Sequence, residues 1–218
     1  MMGGILTVVN REKGPPVGRK KAYDRDMLVG RAVEMFRDHG YAGTSTQMLV
    51  DGLGVNRFSL YAEFETKQGL FDAALARYDH DVIGRSFGPL EAPGAGIAEI
   101  RTLLEFYAQA DESPGWGRGC LLCNTAVEFG PKDPSGAGFV QRYFERLSHA
   151  FHAALQNSRD EGELPASVDP RAEADFLTAS VLGLFVMLRA EAPPTAIRGA
   201  AQAAIAHLEA LSAQPPPD

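Results

Sequence analysis

The chain has 218 residues, 45% of them apolar, which is enough to bury a core, and its formal net charge of −7 excludes a protein coated in nucleic acid along its whole surface. Two cysteines, Cys120 and Cys123, are too few for a disulfide scaffold or for a four-ligand zinc site without nearby histidines. No run approaches the roughly 20 apolar residues that span a bilayer, and the N-terminus lacks an export pattern, so a cytoplasmic protein without a membrane partner is expected.

The charge is unevenly spread. Met1 to Asp72 holds ten basic and nine acidic residues, whereas the remainder holds eleven and nineteen, so only the first third would not repel phosphate on balance. Residues 1–22 read as a flexible arm, rich in Gly and Pro and ending in the basic cluster Arg19, Lys20 and Lys21. From Asp24 the pattern changes. Leu28, Ala32, Met35, Phe36 and His39 recur on one helical face, which predicts a helix from Asp24 to His39 that Gly40 ends. Thr44 and Gln47 are spaced as a capping box, opening a second helix that runs to about Gly52. The Gly52-Leu53-Gly54 turn then reverses the chain, and Asn56 is a suitable N-cap for a third helix through about Phe64. Two short helices joined by a glycine-containing turn make a helix-turn-helix, so 23–71 is expected to form a DNA-binding domain. Thr66 caps a fourth helix, Lys67 to about Val82, that leads into a larger helical domain over 72–212.

In that larger domain further helices are expected at about Ile97 to Asp111, Cys120 to Phe129, Phe139 to Glu161, Pro170 to Ala190 and Thr195 to Leu211. Prolines fall at the breaks between them. No strand-period run, internal repeat or phosphate-binding glycine loop occurs, so the fold class is all-α; 213–218 reads as a disordered tail by composition.

A helix-turn-helix sets the N-terminal side chains of its second helix against base edges while its neighbours hold phosphates. Here the reader helix offers Asn56, Arg57, Phe58 and Ser59, with Tyr61 one turn on and Lys67 at the start of the next helix. Arg57 suits guanine or a phosphate, Phe58 can meet a thymine methyl, and Tyr61 and Lys67 suit phosphate oxygens. Thr44, Thr46 and Gln47 add hydroxyl, amide and backbone donors near the positive end of the second helix. Phe64 is assigned to packing, Tyr61 to packing through its ring and to contact through its hydroxyl, and Asp51 and Glu63 to solvent.

The stretch from Gly40 to Phe71, GYAGTSTQMLVDGLGVNRFSLYAEFETKQGLF, resembles the DNA-binding segment of the TetR family of bacterial repressors. The resemblance is carried by the Gly-Tyr opening, the Gly-Val before the reader helix, and the run Leu60, Tyr61, Phe64, Lys67, Leu70. It departs from the family at Val50 and Leu53, where alanine is common, and at Phe58, where a small residue or proline is common. What it implies is a homodimer that binds a double-stranded, palindromic DNA operator and is released by a small-molecule effector held in the larger domain, without enzymatic activity or a cofactor. Phe106, Trp116, Cys120, Tyr143 and Phe176 are candidates to line that effector cavity, although aromatic residues at helical spacing also serve simply as core.

The segment RGCLLCNTAVE, Arg118 to Glu128, resembles one branch of the family in which the cysteine matching Cys120 responds in some members to oxidants or electrophiles. An adjacent helix N-terminus and Arg118 would favour a thiolate at Cys120, with Cys123 one turn further on, while a free cysteine in a helical core also acts as a small hydrophobe. Phe176, Ala179, Gly183, Leu184 and Met187 can oppose Ile197, Ala201, Ala204, Ile205 and Leu208 across a two-fold axis, or pack within one chain. A helical metal oxidase would require Glu-x-x-His pairs, and none occurs; Glu145 and His149 are four apart. No Gly-x-Ser-x-Gly nucleophile turn is present, and Cys120-x-x-Cys123 lacks the strand context of a redox dithiol.

Overall fold

A computed structural model of the chain describes residues 23–109, 117–129 and 137–213; the basic arm, Trp116 and the tail from Gln214 lie outside the described residues. Among the described residues ten α-helices follow in order: α1 (Arg25–Gly43), α2 (Thr46–Leu53), α3 (Arg57–Phe64), α4 (Lys67–Tyr78), α5 (Gly84–Phe87), α6 (Ile97–Ala108), α7 (Leu121–Phe129), α8 (Ala137–Asp160), α9 (Pro170–Arg189) and α10 (Pro194–Ser212). No strand occurs among the described residues.

Local chemistry sets the ends of the first four helices. Asp24 caps α1 by accepting from the Asp26 amide, Asn56 caps α3 by accepting from Ser59, and Thr66 caps α4 by accepting from Gly69. The cap of α2 is Ser45, which accepts from Met48, and not Thr44 as the spacing suggests. Thr44 turns inward instead: it is fully buried and its hydroxyl donates to the Gly40 carbonyl at 2.6 Å. Gly54 closes α2 with φ +68°, a conformation that costs glycine little, and this lets the chain swing directly into α3.

Leu28, Val29, Ala32, Val33 and Phe36 form the buried stripe of α1, and α4 lies along it. Leu49, Leu53, Leu60 and Phe64 close the small bundle beneath α2 and α3. From α4 the helical path continues through a π-helical turn, Asp79–Ile83, into α5 and a 3-10 turn, Gly88–Glu91, none of which the sequence pattern distinguishes from a single helix and loop. Beyond it α8 packs on α9, and α6 on α10. The buried apolar side chains run without a break from α1 to α10, so the small bundle and the later helices share one continuous core. Leu184, Ile197, Ala201, Ala204 and Leu208 are buried in that core, which decides their role in favour of packing within one chain; Phe176, Ala179 and Gly183 remain exposed.

Candidate nucleic-acid interface

The N-terminal turn of α3 projects from the small bundle. Asn56, Arg57 and Phe58 are exposed there, while Leu60 and Phe64 anchor the opposite side of the helix in the core. Phe58 is 85% exposed, the most open of the large apolar side chains described. Asn56 spends its side-chain oxygen on the cap, at 2.8 Å from the Ser59 amide, so its role is first to fix where the helix begins.

Two further groups flank this turn. The Tyr61 hydroxyl lies 3.1 Å from the Thr46 hydroxyl, joining α3 to the first turn of α2, so Tyr61 packs by its ring and presents a polar end beside Thr46. Lys67 sits with its ammonium 4.1 Å from the centroid of the Tyr41 ring, and partial burial moves its pKa below the ordinary lysine value. Gln47 is exposed at the N-terminal end of α2 and donates to Asp51 at 2.8 Å. Of the residues singled out from the sequence, Thr46, Gln47, Asn56, Arg57, Phe58, Ser59, Tyr61 and Lys67 therefore gather on the α2 and α3 side of the bundle. Thr44 does not join them, because its enclosed side chain has nothing to offer a ligand. Asp51 is exposed, as expected, but Glu63 is not solvent-facing: its side chain is 8% exposed and pairs with Arg25 at 3.3 Å, with the Tyr23 hydroxyl 3.4 Å away.

A polar clasp that the sequence pattern does not signal holds this module to the later helices. Arg118 donates from Nε and Nη2 to the two carboxylate oxygens of Asp38, at 2.5 and 2.7 Å, and also engages Glu34. That arrangement holds the Asp38 carboxyl below its ordinary value of 3.8. Arg189, at the end of α9, donates to the carbonyls of Arg37 and Asp38 at 3.1 and 3.2 Å, meeting the negative end of the first part of α1. In return Arg37 donates to the Gly119 carbonyl at 3.2 Å. At the last turn of α7, Glu128 accepts from the amides of Tyr41 and Ala42 at 2.9 and 2.5 Å. These amides turn toward it because the helix breaks at Gly40, where φ is +71° and ψ 175°. Phe129 adds a ring contact to Tyr41, 5.1 Å between centroids.

The thiols behave differently from the expectation. Cys120 is fully buried, its Sγ 3.5 Å from the Tyr143 hydroxyl, and burial pushes its pKa up. Arg118 does not assist it, being occupied by Asp38 and Glu34. Burial also raises Cys123, to about 11. The reasoning that favours a thiolate at Cys120 is thus overturned by desolvation, which outweighs the hydrogen bonds that the thiol receives. Nor are the four described candidate cavity residues brought together: Cys120 and Tyr143 touch in the core, Phe106 is 55% exposed on α6, and Phe176 is 43% exposed on α9 against His207; the fifth, Trp116, lies outside the described residues.

Comparison with known proteins gives consistent results at both ends of the chain. Residues 28–74 match the family of bacterial regulatory proteins described as the tetR family, and residues 96–204 match the tetracyclin repressor-like C-terminal domain. The chain is 36% identical over 169 residues to the uncharacterized HTH-type transcriptional regulator YezE of Bacillus subtilis (strain 168), covering 77% of this chain and 87% of that one. It is 27% identical over 176 residues to the HTH-type transcriptional repressor ComR of Escherichia coli (strain K12), covering 79% and 82%. Among solved structures, a cysteine mutant of the TetR family transcriptional regulator CifR, complexed with 26bp double-strand operator DNA, superposes with a TM-score of 0.75 at 26% identity, covering 87% of this chain and 98% of that one.

Proposed function

The chain belongs to the tetR family of bacterial regulatory proteins, and from that premise we propose that it is a cytoplasmic transcriptional repressor that binds a palindromic DNA operator as a homodimer and lets go when the larger helical domain takes up a small-molecule effector. The observation that carries this reading is the exposed first turn of α3, where Arg57 and Phe58 stand clear of the bundle between the Thr46 and Tyr61 hydroxyls and the Lys67 ammonium. A helix presented in this way fits the major groove, with Arg57 at a base edge or phosphate and Thr46, Tyr61 and Lys67 along the backbone. The protein works by binding rather than turnover.

One such module makes a small interface; two, set one helical turn apart at roughly 34–36 Å, double it and select a near-palindrome. The exposed row Phe176, Ala179 and Gly183 on α9, together with exposed small residues of α10 such as Ala203 and Ala206, suits close approach of a second copy. Effector binding reaches the reader by two paths: α4, which joins both parts of the chain, and the clasp from α7 and α9 to α1. The test is a salt-titrated mobility shift on the DNA beside the protein's own gene. Retarded duplex at modest ionic strength that random competitor does not displace is expected, and equal competition by random duplex would defeat the reading.

A further inference from the structure

The outward face of α3 has an unusual composition for a surface that reads DNA. Phe58 and Ala62 are both exposed and stand four residues apart, one above the other on the same side of the helix. Phe58 leaves 85% of its surface in water, although Leu60 two residues on is 2% exposed and shows that the bundle has room to bury apolar groups on its inner side. Amide groups, the usual partners of adenine, are scarce on this face. The side-chain oxygen of Asn56 is committed to the Ser59 amide and the amide nitrogen of Gln47 to Asp51. Besides the Ser59 hydroxyl and the Asn56 amide nitrogen, what this face offers to discriminate bases is one guanidinium, Arg57, and an apolar ridge made of a ring and a methyl.

In the major groove only one base edge is apolar, the C5-methyl of thymine, and phenylalanine and alanine are side chains that meet it. Resting on the proposed function of this same surface, we infer that Phe58 is a specificity-determining residue that reads a thymine C5-methyl in each half-site, with Ala62 extending the contact along the groove. The ligand feature recognised is the methyl group itself and not the hydrogen-bonding edge of the base. Water leaves both the ring and the methyl on contact, so the gain follows the burial of one methyl, about fourfold in affinity per half-site, or roughly 16-fold when both half-sites of a dimer site lose it. Arg57, beside it, reads a separate position through hydrogen bonds, so the two residues give separable signatures.

The experiment uses the full chain and two random-sequence duplex pools, one synthesised with thymidine and the other with deoxyuridine, which lacks only the methyl. Selection by the wild type from the thymidine pool is expected to enrich a thymine column flanking the Arg57-dependent position. Deoxyuridine placed at that column in the selected duplex should weaken binding about fourfold per half-site. Phe58→Ala, at an exposed position, should leave the thermal melt unchanged and lose most of the difference between thymidine and deoxyuridine duplexes, with only the Ala62 methyl left on the ridge, while Phe58→Leu should keep most of that difference. If no duplex is enriched from either pool, the DNA-binding reading itself fails and this inference falls with it. If duplexes are enriched but the wild type treats thymidine and deoxyuridine alike at every position, DNA binding stands and the methyl contact is refuted. A Phe58→Ala protein that keeps the full deoxyuridine penalty would likewise remove Phe58 from the contact.

Discussion

Substituting Gly40 by alanine tests the clasp without reference to DNA. The backbone there, φ +71° and ψ 175°, lies in a region that only glycine occupies freely, so any side chain brings about 1–3 kcal/mol of strain. A Cβ at this position would also stand 2.9 Å from Glu128 Oε2, closer than carbon and oxygen tolerate, and would push the carboxylate off the Tyr41 and Ala42 amides. Those bonds are solvent-exposed, so their joint loss is worth about 1 kcal/mol net rather than the larger value of a buried charged pair. The expected total is about 2–4 kcal/mol of folding stability, read from urea unfolding followed by circular dichroism. The Glu128→Ala background separates the two parts, because there the new Cβ no longer meets a carboxylate and only the strain remains. The coupling between the two substitutions should therefore be about 1 kcal/mol, beyond the ~0.3–0.5 kcal/mol within which independent sites add. A loss below about 0.5 kcal/mol for Gly40→Ala would show that neither the strain nor the contact is real, and strict additivity would remove Glu128 from the argument.

Arg57→Ala should lower operator affinity and relax preference at one base position by about 1–3 kcal/mol, whereas Lys67→Ala should weaken binding to all duplexes alike and lower the salt slope by about 1; quantitative mobility shifts on variant duplexes distinguish these patterns. Glu65, at φ 62° and ψ −50° between α3 and α4, holds a strained turn whose Thr66 amide bonds back to the Phe64 carbonyl at 2.6 Å. Glu65→Gly should relieve it and raise stability by about 1 kcal/mol, measured by the same unfolding. Both thiols should resist labelling: with a pKa of about 11, Cys123 is thiolate to roughly one part in a thousand at pH 8, and Cys120 is fully enclosed. Rapid, stoichiometric labelling of the folded protein by a disulfide reagent at that pH would contradict the burial. Because Arg118 lowers the folded-state pKa of Asp38 below 3.8, its contribution is present above that value and is lost as pH falls through the lowered one. With Asp38 42% exposed, solvent screening keeps that contribution to about 1 kcal/mol at neutral pH, so the deficit of Arg118→Ala, which also loses the Glu34 pair, should be largest near pH 7 and shrink as both carboxylates protonate in strong acid.

The helices are legible in the sequence because their signals are local. The period of Leu28, Ala32 and Phe36, the Asn56 and Thr66 caps, and the break at Gly40 are each decided within a few residues, and α3 begins and ends within one residue of expectation. The exposed first turn of α3 is legible for the same reason, since a short capped helix after a glycine turn leaves few side chains that can face outward. The failures share the opposite character. Thr44 and Ser45 are equally suited to cap α2, and what chooses between them is the Thr44 bond back to Gly40 across the helix break, a tertiary fact. Glu63 reads as solvent-facing, but Arg25 and Tyr23 close over it from 38 and 40 positions away. Cys120 departs from expectation because an arginine near in sequence is not a charge near in space: Arg118 turns some 80 residues back to α1, and three tyrosines, Tyr78, Tyr107 and Tyr143, enclose the thiol instead.

That long-range clasp changes how the two parts of the chain can move. Were α4 the single connection, α3 could swing about the turn after Tyr78 with little effect on the rest. With Arg118, Arg189 and Glu128 gripping both sides of the break in α1, any displacement of α7 or α9 must either carry α1 along or break charge-assisted bonds. Breaking them exposes helix-end carbonyls and amides that water satisfies almost as well, so the cost is about 1 kcal/mol at each contact and not prohibitive. The junction is therefore stiff to small shifts and yields to larger ones. Since Asp38 and Gly40 lie on the helix against which α4 packs, a shift of α7 reaches the Thr66 turn and hence the base of α3 through packed side chains: Phe129 against Tyr41 and Phe71, and Tyr41 against Lys67. Lys67 thus touches the clasp through Tyr41 while it opens the helix that follows α3, so a displacement of α7 is felt at Lys67 through two ring contacts.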